Sequence, residues 1–250
     1  MILNNKVAIV TGGSRDIGKA ISLGLAAAGA KVAVNYLRNQ QRADETVSEI
    51  KQAGGSAIAV PGDMTIASDV ENLIAKTTEA FGDTIDILVN NTGGLVERRT
   101  VGEMDQAFLE QVMTLNMTSA FLTIKAAVPH MKSGSSIINI ASQAARDGGG
   151  PGASAYAASK GALVSYTRAM AKELGPSNIR VNCLCPGIID TTFHDTFTKD
   201  EVREKLAAGT ALRREGTPEE VASLVTYLAS DAASFMAGAS VDINGGIAFS

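Results

Sequence analysis

A tyrosine and a lysine four positions apart, Tyr156 and Lys160, are the residues whose spacing first suggests chemistry. The segment around them has helical character through Leu174, so the two side chains would be neighbours on one helix face. A nearby ammonium favours the ionised form of a phenol, whose usual pKa is about 10. Such a tyrosine can exchange a proton with a substrate oxygen. By itself the spacing is more typical of an ordinary surface pair, so the neighbouring motifs must decide.

Polar residues follow two apolar runs that are predicted to be strands. Ser142 comes after the run 137–140, and Asn90 belongs to a polar stretch after the run 87–89. Asn116 lies in the helical stretch that follows. Ligands of open α/β sheets bind beyond the carboxyl ends of the strands. This placement makes a chemical role for Tyr156 and Lys160 more credible.

A glycine-containing loop, residues 11–18, follows the first predicted strand. Gly12 allows a tight turn, and Gly18 allows a helix to pack closely on the strand. The helix predicted over 17–28 would offer free N–H groups to a pyrophosphate. The position of the loop in the first βαβ unit favours a dinucleotide site over a plain tight turn.

Short apolar runs alternate with segments of helical period along the whole chain. The runs are 7–10, 32–34, 57–60, 87–89 and 137–140. They are continuous rather than alternating, as in a parallel sheet that is covered on both faces. The pattern predicts an α/β fold, a single Rossmann-type domain over 1–250 with a doubly wound parallel sheet and helices on both faces.

Two helix starts and one exceptional segment complete this pattern. Ser68 with Glu71 predicts a capping box for a helix through Phe81, and Thr217 before a proline predicts another start. The polar, threonine-rich segment 188–209 interrupts the alternation of strands and helices. Because it would lie at the edge where ligands enter, we expect it to form a lid.

The end of the second predicted strand bears on the choice of dinucleotide. An acidic residue there commonly binds the ribose hydroxyls of NAD, but this chain has Asn35, Tyr36 and Arg38 in that region. Arg15 and Arg38 are suited to a 2′-phosphate, although both are also consistent with solvated surface arginines. We therefore expect NADP(H) as the preferred cofactor, with NAD(H) possible as an alternative.

The composition argues against several classes of function. The net charge is −4 and there is no basic block, so the chain lacks the charge pattern expected for binding a nucleic acid backbone. It has no uninterrupted apolar stretch of about 20 residues, the length that crosses a bilayer. Its first residues lack the pattern of a signal peptide. We expect a cytoplasmic protein without nucleic-acid or membrane partners.

The chain is also poor in metal-ligating and hydrolytic motifs. Cys183 and Cys185 are its only cysteines, and we interpret them as reduced thiols near a buried strand end. The two histidines have no partnering pattern, and no G-x-S-x-G elbow is present. We therefore expect neither a metal site nor a hydrolase.

In order, the motifs resemble those of the short-chain dehydrogenases/reductases over nearly the whole chain. The matching positions are Thr11, Gly12, Gly18, Asp63, Asn90, Asn91, Thr92, Gly93, Asn116, Ser142, Tyr156, Lys160, Pro186 and Gly187. The resemblance implies that Tyr156 is the general acid/base and that Ser142 holds the substrate oxygen. It also implies that Lys160 binds the nicotinamide ribose and lowers the tyrosine pKa, while Asn116 supports a proton relay.

The same resemblance implies a set of cofactor contacts and a homotetramer, or a homodimer. Asp63 would face the adenine, and the helices that contain Asn116 and Tyr156 would pack across a subunit interface. Besides Tyr156 and Lys160, the residues expected to bind the cofactor are Gly12, Ser14, Arg15, Asp16, Ile17, Gly18, Asn35, Tyr36, Arg38, Asp63, Met64, Asn90, Thr92, Gly93, Pro186, Gly187, Ile189 and Thr191.

Two positions depart from the family pattern. Asp16 stands where glycine is usual, and its charge would oppose a phosphate unless Arg15 or solvent neutralises it. We therefore expect cofactor affinity to be weakened or cofactor choice to be altered. Thr92 stands where alanine is usual, a smaller change that we expect to be tolerated.

Three stretches suggest a substrate: 93–99, 148–152 and 190–195. Together they resemble reductases that act on a deoxy-hexoseulose uronate (DEH), the keto sugar acid left by complete alginate breakdown. A small carbonyl substrate with a carboxylate would need a cation in the pocket. Arg98 is the first choice, followed by Arg99, Arg146 and His194, although each is individually consistent with an ordinary surface or loop residue.

Two other functions are consistent with the same motifs. The chain is also similar to 3-oxoacyl-carrier-protein reductases. Carrier proteins are acidic, yet the stretch 128–134 has one firm positive charge, Lys132, which argues mildly against that partner. From another class, a dinucleotide-sensing protein could have kept the fold and lost catalysis. Asp16 gives this alternative some support, whereas the filled serine, tyrosine, lysine and asparagine positions oppose it.

Overall fold

Seven parallel strands form one sheet, in a computed structural model that describes residues 2–249. The order across the sheet is β3-β2-β1-β4-β5-β6-β7. The strands are β1 (Val7–Val10), β2 (Lys31–Tyr36), β3 (Ser56–Pro61), β4 (Ile87–Asn90), β5 (Ser136–Ile140), β6 (Arg180–Pro186) and β7 (Ser240–Ile243). The predicted α/β class with a doubly wound parallel sheet is confirmed.

Helices connect the strands and cover both faces. They are α1 (Asp16–Ala27), α2 (Gln40–Gln52), α3 (Ala67–Phe81), α4 (Gln106–Met113), α5 (Ser119–Ala127), α6 (Ala144–Asp147), α7 (Ser154–Leu174), α8 (Thr192–Phe197), α9 (Asp200–Gly209) and α10 (Pro218–Ala229). A π-helical turn, Thr114–Thr118, joins α4 to α5. No helix within residues 2–249 is both long and apolar enough to cross a membrane.

Successive strand residues point into two separate cores, as the pleat of a strand requires. Ala8 and Val10 of β1 pack with α1, α2 and α10 on one face. Ile9, between them, packs with α3, α5 and α7 on the other. All four residues of β1 are buried, which explains why its sequence is continuously apolar.

The strand order creates the crevice in which a ligand can bind. From β1 the chain continues to β2 and β3 on one side, and β4 then returns to pair with the opposite edge of β1. Such a reversal leaves a crevice outside the carboxyl ends of the strands. The loops that follow β1, β4, β5 and β6 all meet at this edge.

One predicted helix start is confirmed and the other is wrong. The Thr217 side chain accepts a hydrogen bond from the Glu220 N–H, and the Glu220 carboxylate accepts one from the Thr217 N–H, which is a capping box for α10. Ser68 instead lies inside α3, whose N-cap position is Ile66 and has no side-chain cap. The chain turns earlier than expected because the Ile66 N–H already donates to the Asp63 carbonyl.

The segment 188–209 is mostly helical, since α8 and α9 occupy it. Arg203 of α9 binds the carboxylates of Asp190, Asp195 and Glu215. The half-buried Arg203 side chain therefore ties the segment together and to Glu215, which no local sequence period reveals.

Candidate functional site

The glycine loop is held from two sides by asparagine side chains. Asn35, at the end of β2, accepts a hydrogen bond from the Gly12 N–H at 3.1 Å. Asn91, after β4, donates to the carbonyls of Thr11 and Gly12 at 3.0 and 3.1 Å. The Thr11 hydroxyl accepts from the N–H groups of Asn91 and Thr92. These bonds fix the loop against the crevice.

Two glycines stand where a side chain would collide with the protein's own atoms. A Cβ on Gly18 would lie 2.1 Å from the Gly12 carbonyl oxygen, and one on Gly93 would lie 2.6 Å from Asn116 Oδ1. Gly12 itself has a φ of +59°, which favours glycine. The part of the crevice from the start of α1 to the loop after β4, which we call the passage, is therefore lined by closely packed backbone.

At the end of the passage next to β2, several polar side chains that were expected to bind the cofactor are bonded within the protein instead. Asn35 is buried and also donates to the carbonyls of Val60 and Gly62, so its amide is occupied within the protein. Asp63 accepts from the N–H and hydroxyl of Thr65 at 2.9 and 2.7 Å. Met64 is buried in the core, whereas Arg38 is exposed just beyond β2. Arg38 is thus a free cation close to this end.

Arg15 and Asp16 are both turned towards the segment after β6. Arg15 donates to Asp16 at 3.1 Å and to the Thr192 hydroxyl at 2.7 Å. Asp16 also accepts from the Thr192 N–H and hydroxyl. The expected neutralisation of Asp16 by Arg15 is therefore present, and the Arg15 guanidinium is engaged with α8.

Asn90 belongs to a buried chain of amides and hydroxyls. It donates to Asn139 at 2.8 Å and accepts from the Thr123 hydroxyl at 2.6 Å. Asn139 in turn donates to Thr167 of α7 at 2.9 Å. The network joins β4 and β5 to the helices α5 and α7, so the strand ends and α7 keep a fixed relation.

Asn116 lies in the π-helical turn and is fully buried. Its amide donates to the Gly94 carbonyl at 2.9 Å and to the Val112 carbonyl at 3.0 Å, while its oxygen accepts from the Gly94 N–H. π-Helical turns are frequent at functional sites. Here the side chain fixes the loop after β4 beside Lys160.

Lys160 is a buried cation at the centre of the site. Its side chain rises from α7 and its ammonium donates to the Ile140 carbonyl of β5 at 2.8 Å. The residue is 4% exposed. Burial lowers the pKa of Lys160 from about 10.5 to about 8, because the ammonium has lost most of its water.

Tyr156 lies one helical turn before Lys160, whose ammonium is 5.9 Å from the tyrosine ring centre. Burial raises the pKa of the Tyr156 hydroxyl, and a hydrogen bond with Ser142 opposes this rise only in part. Among the protein's own groups the expected lowering of the tyrosine pKa is therefore not found. At neutral pH the phenol is protonated and beside Ser142, which suits it to donate a proton.

The loop after β6 closes the crevice on the side of β6 and β7. A Cβ on Gly187 would lie 2.7 Å from Asn244 Cβ, so only glycine fits after Pro186. Ile189 forms a bridge with Gly216, and the Thr191 hydroxyl donates to the Ile189 carbonyl. The loop is thus held close to the ends of β6 and β7.

Together these features fit a dinucleotide. The backbone at Gly12, Gly18 and Gly93 leaves no room for added side chains, and the start of α1 has no side-chain cap, so its first N–H groups are available to a pyrophosphate. At the other end of the passage, Gly93 lies beside Asn116 and the Lys160 ammonium. Lys160 would hold a ribose of such a molecule, and Tyr156 would face the substrate beside it.

The sequence was compared with known families and with known proteins. Residues 12–248 match the family described as Enoyl-(Acyl carrier protein) reductase, of the short-chain type. A 3-oxoacyl-[acyl-carrier-protein] reductase from Synechocystis sp. is 39% identical over 249 residues, covering 98% of each chain. The chain belongs to the short-chain dehydrogenase/reductase family. It is therefore an NAD(P)-dependent oxidoreductase.

Solved structures of family members have the same fold. A dehydrogenase/reductase from Sinorhizobium meliloti is 40% identical, with a TM-score of 0.94 over 99% of this chain and 97% of its own. A short-chain dehydrogenase from Burkholderia cenocepacia, in complex with NADP, is 33% identical, with a TM-score of 0.93 over 99% of each chain. The family fold expected from the motifs is thus confirmed.

In this short-chain dehydrogenase/reductase, Arg98 links its own stretch, 93–99, to the stretch 148–152 and to the end of α8. Its side chain donates to the Pro151 carbonyl at 2.9 Å and to the Phe197 carbonyl at 3.1 Å. On α8, Phe193 lies with its ring centre 6.0 Å from that of Tyr156 and 5.1 Å from that of Phe197. Phe193 and Phe197, which we call the aromatic wall, therefore lie next to Tyr156 at one end and next to Arg98 at the other.

The other proposed substrate ligands are placed less favourably. Arg146 binds Asp242 at 3.2 Å and the Ser240 carbonyl at 3.0 Å, which holds it against β7. Arg99 binds Glu97 and lies 4.3 Å above the Phe108 ring. Burial and the nearby Arg203 lower the pKa of His194, so it is neutral at pH 7. Arg98 remains the exposed cation beside the aromatic wall.

Several residues that position the site in this protein were not identified from the sequence. Asn139, Thr123 and Thr167 fix the strand ends, and Gln143 accepts a hydrogen bond from Asn244 behind Gly187. A polar residue inside an otherwise apolar strand, as at Asn139, was the available indication. Among residues 2–249 no group of three His, Cys, Asp or Glu side chains forms a possible metal site.

We predict that Gly18→Ala weakens NADPH binding by at least about tenfold, or ~1.4 kcal/mol. The added methyl group would collide with the Gly12 carbonyl and distort the passage. Gly24→Ala is the matched control, because its Cβ would meet Thr226 Oγ1 at an ordinary 3.4 Å on the same helix. Fluorescence titration with NADPH measures both. Equal affinity in the two variants would contradict the assignment of the glycine loop.

Proposed function

We propose that this protein reduces the carbonyl group of a small substrate to an alcohol, with NADPH as the preferred cofactor. The observation that carries the proposal is the position of the protonated Tyr156 hydroxyl beside Ser142, with the buried Lys160 ammonium one helical turn away. When bound, the dinucleotide supplies hydride to the substrate carbon.

Four side chains have separate roles in the rest of the reaction. Ser142 donates a hydrogen bond to the substrate oxygen and orients it towards Tyr156. Tyr156 gives its phenolic proton to that oxygen as negative charge develops there. The Lys160 ammonium stabilises the phenolate that remains, because a positive charge in a poorly solvated site acts strongly at short distance. Asn116 keeps the adjoining loop in place and supports return of the proton from solvent.

The preference for NADPH over NADH rests on charge at the end of β2. No acidic residue stands in the segment 35–38 to bind the ribose hydroxyls, and Arg38 is exposed there. Arg15 is near the same loop, although its guanidinium faces Thr192 in this structure. Arg38 is therefore the main support for recognition of a 2′-phosphate.

As substrate we propose a keto sugar acid of the DEH type. Arg98 links two of the three stretches that resemble DEH reductases, 93–99 and 148–152, and it is exposed beside Phe197. Within residues 2–249 its Nη2 atom has no hydrogen-bond acceptor, so it is free to bind a substrate carboxylate. The aromatic wall offers an apolar face against which the carbon skeleton of a sugar can pack.

A second candidate substrate is a 3-oxoacyl thioester carried by acyl carrier protein. The similarity to the Synechocystis reductase of that activity favours it. The charges of the stretch 128–134 oppose it, since His130 is paired with Asp83 and Lys132 is the firm positive charge of that stretch.

We also propose a cytoplasmic homotetramer, with a homodimer as the smaller alternative. The exposed Leu109 of α4 and Phe121 of α5 support an interface between copies on that side of the molecule. These two apolar side chains lie on the helices that flank Asn116.

A substrate panel tests the proposed function directly. DEH, an acetoacetyl thioester and a neutral aldehyde are each reduced with NADPH and with NADH. We expect the highest kcat/KM for DEH with NADPH. Faster turnover of the thioester would establish the second candidate instead. Binding of NADPH without consumption across a broad carbonyl panel would favour a dinucleotide-sensing protein and contradict catalysis.

We predict that Arg98→Ala raises KM for an acidic carbonyl substrate about tenfold, the usual effect of losing one hydrogen bond to a charged group, but changes KM for a neutral aldehyde little. Arg99→Ala removes the same charge next to it and is the matched control, since Arg99 is engaged with Glu97. Steady-state kinetics with both substrates gives the comparison. An equal effect of Arg98→Ala on both substrates would show that it only supports the aromatic wall.

A further inference from the structure

Asp16 and Thr192 join two parts of the chain that are 176 residues apart. The Asp16 carboxylate accepts a hydrogen bond from the Thr192 hydroxyl at 2.6 Å and another from the Thr192 N–H at 3.2 Å. Arg15 adds a bond to the same hydroxyl at 2.7 Å. In residues 2–249, every hydrogen bond between the glycine loop, 11–18, and the segment 188–209 involves Thr192.

The contact spans the crevice between the strands that carry its two ends. Asp16 follows β1 and Thr192 follows β6, and in the sheet β4 and β5 lie between them. Neighbouring strands are about 4.8 Å apart, so the chain must cross about 14 Å to make this contact. We call residues 188–192 together with Asp16 the strap. It passes over the carboxyl ends of β4 and β5, where Gly93 and Ser142 lie.

The backbone of Asp16 is in a strained conformation in this contact. Its φ is +49°, a conformation in which non-glycine residues are uncommon. A glycine would adopt it without strain. The aspartate is held there by its bonds to Thr192 and Arg15, and these bonds also offset the negative charge that it brings to the phosphate end of the crevice.

The segment is also anchored on both sides of Thr192. Before it, Ile189 forms a bridge with Gly216 and Arg203 binds Asp190, and after it Arg98 holds the Phe197 carbonyl. Breaking the contact at Thr192 would therefore release Thr192 from the glycine loop, while residues 188–190 and the Phe197 end of the aromatic wall stay attached. The part of the segment that would cover the cofactor and the part that would line the substrate pocket are therefore held by different hydrogen bonds.

We propose that the Asp16–Thr192 contact is a latch that must open for the dinucleotide to enter and leave, so that Asp16 sets the rate of cofactor exchange. The inference rests on the proposed function only in that the cofactor is NADP(H). Asp16 is a positioning residue in this account. It acts through the strap and not through a bond to the cofactor.

A direct electrostatic role of Asp16 makes the opposite prediction. If the carboxylate only repelled the pyrophosphate, Asp16→Gly would slow dissociation of NADPH, and Thr192→Val would have no effect. If the contact is a latch, both substitutions speed the dissociation and the association of NADPH, because each removes the state in which Asp16 and Thr192 are bonded. The dissociation constant would then change much less than either rate.

Stopped-flow fluorescence of NADPH with the full-length protein measures both rates without turnover. We expect Asp16→Gly and Thr192→Val each to raise the dissociation rate about tenfold, the usual effect of losing one hydrogen bond to a charged group. The double variant should be no faster than the faster single variant. Thr192→Ser keeps the hydroxyl and should restore the parent rate. Thr196→Val is the control, since its hydroxyl bonds only the Thr192 carbonyl within α8.

Hydrogen exchange gives a second measurement that does not require cofactor. The Thr192 amide, which donates to Asp16, should exchange faster in Asp16→Gly and Thr192→Val than in Thr196→Val, whereas the Asp190 amide, which donates to the Gly216 carbonyl, should not change. An unchanged dissociation rate in Thr192→Val, or a slower rate in Asp16→Gly, overturns the latch while NADPH binding by the parent protein still supports the proposed function. Failure of the parent protein to bind NADPH overturns both.

Discussion

The buried ammonium of Lys160 is the interaction on which the rest of the site depends. A charge that has lost most of its water is costly unless the protein supplies replacement dipoles. Here the Ile140 carbonyl at the end of β5 accepts a hydrogen bond from the ammonium, and Gly93 leaves the space that the ammonium occupies. Asn116 holds the loop that contains Gly93, so the sheet edge, the π-helical turn and α7 all serve one cation.

This arrangement explains why Tyr156 can act although its own pKa is raised. Burial keeps the phenol protonated at neutral pH, which is the form that donates a proton during reduction. The same burial places Lys160 where it can stabilise the phenolate after the proton has left. The buried network of Asn90, Asn139 and Thr167 keeps α7 in a fixed position relative to the strands, so the Lys160 ammonium stays at the Ile140 carbonyl.

Much of the fold and the central pair could be predicted from the sequence, because both depend on local patterns. Continuous apolar runs identified β1 to β5, and the four-residue spacing placed Tyr156 near Lys160. The bonds made by Asn35 and Asn91 could not be found in this way, since they join residues far apart in the chain. The same limit applies to Arg98, whose partners Pro151 and Phe197 lie far from it in the chain. Asp16 was identified as unusual, but its partner Thr192 became apparent only in the folded chain.

The most direct test of this account is the titration of Lys160 in the intact protein. Lysine labelled with ¹³C at Cε reports the charge of each ammonium by NMR as the pH is raised, and Lys160→Met assigns the resonance. The account predicts that Lys160 loses its proton near pH 8, well before the exposed lysines. Titration of Lys160 at its ordinary value of about 10.5 would show a well-solvated ammonium and would contradict the central place given to it.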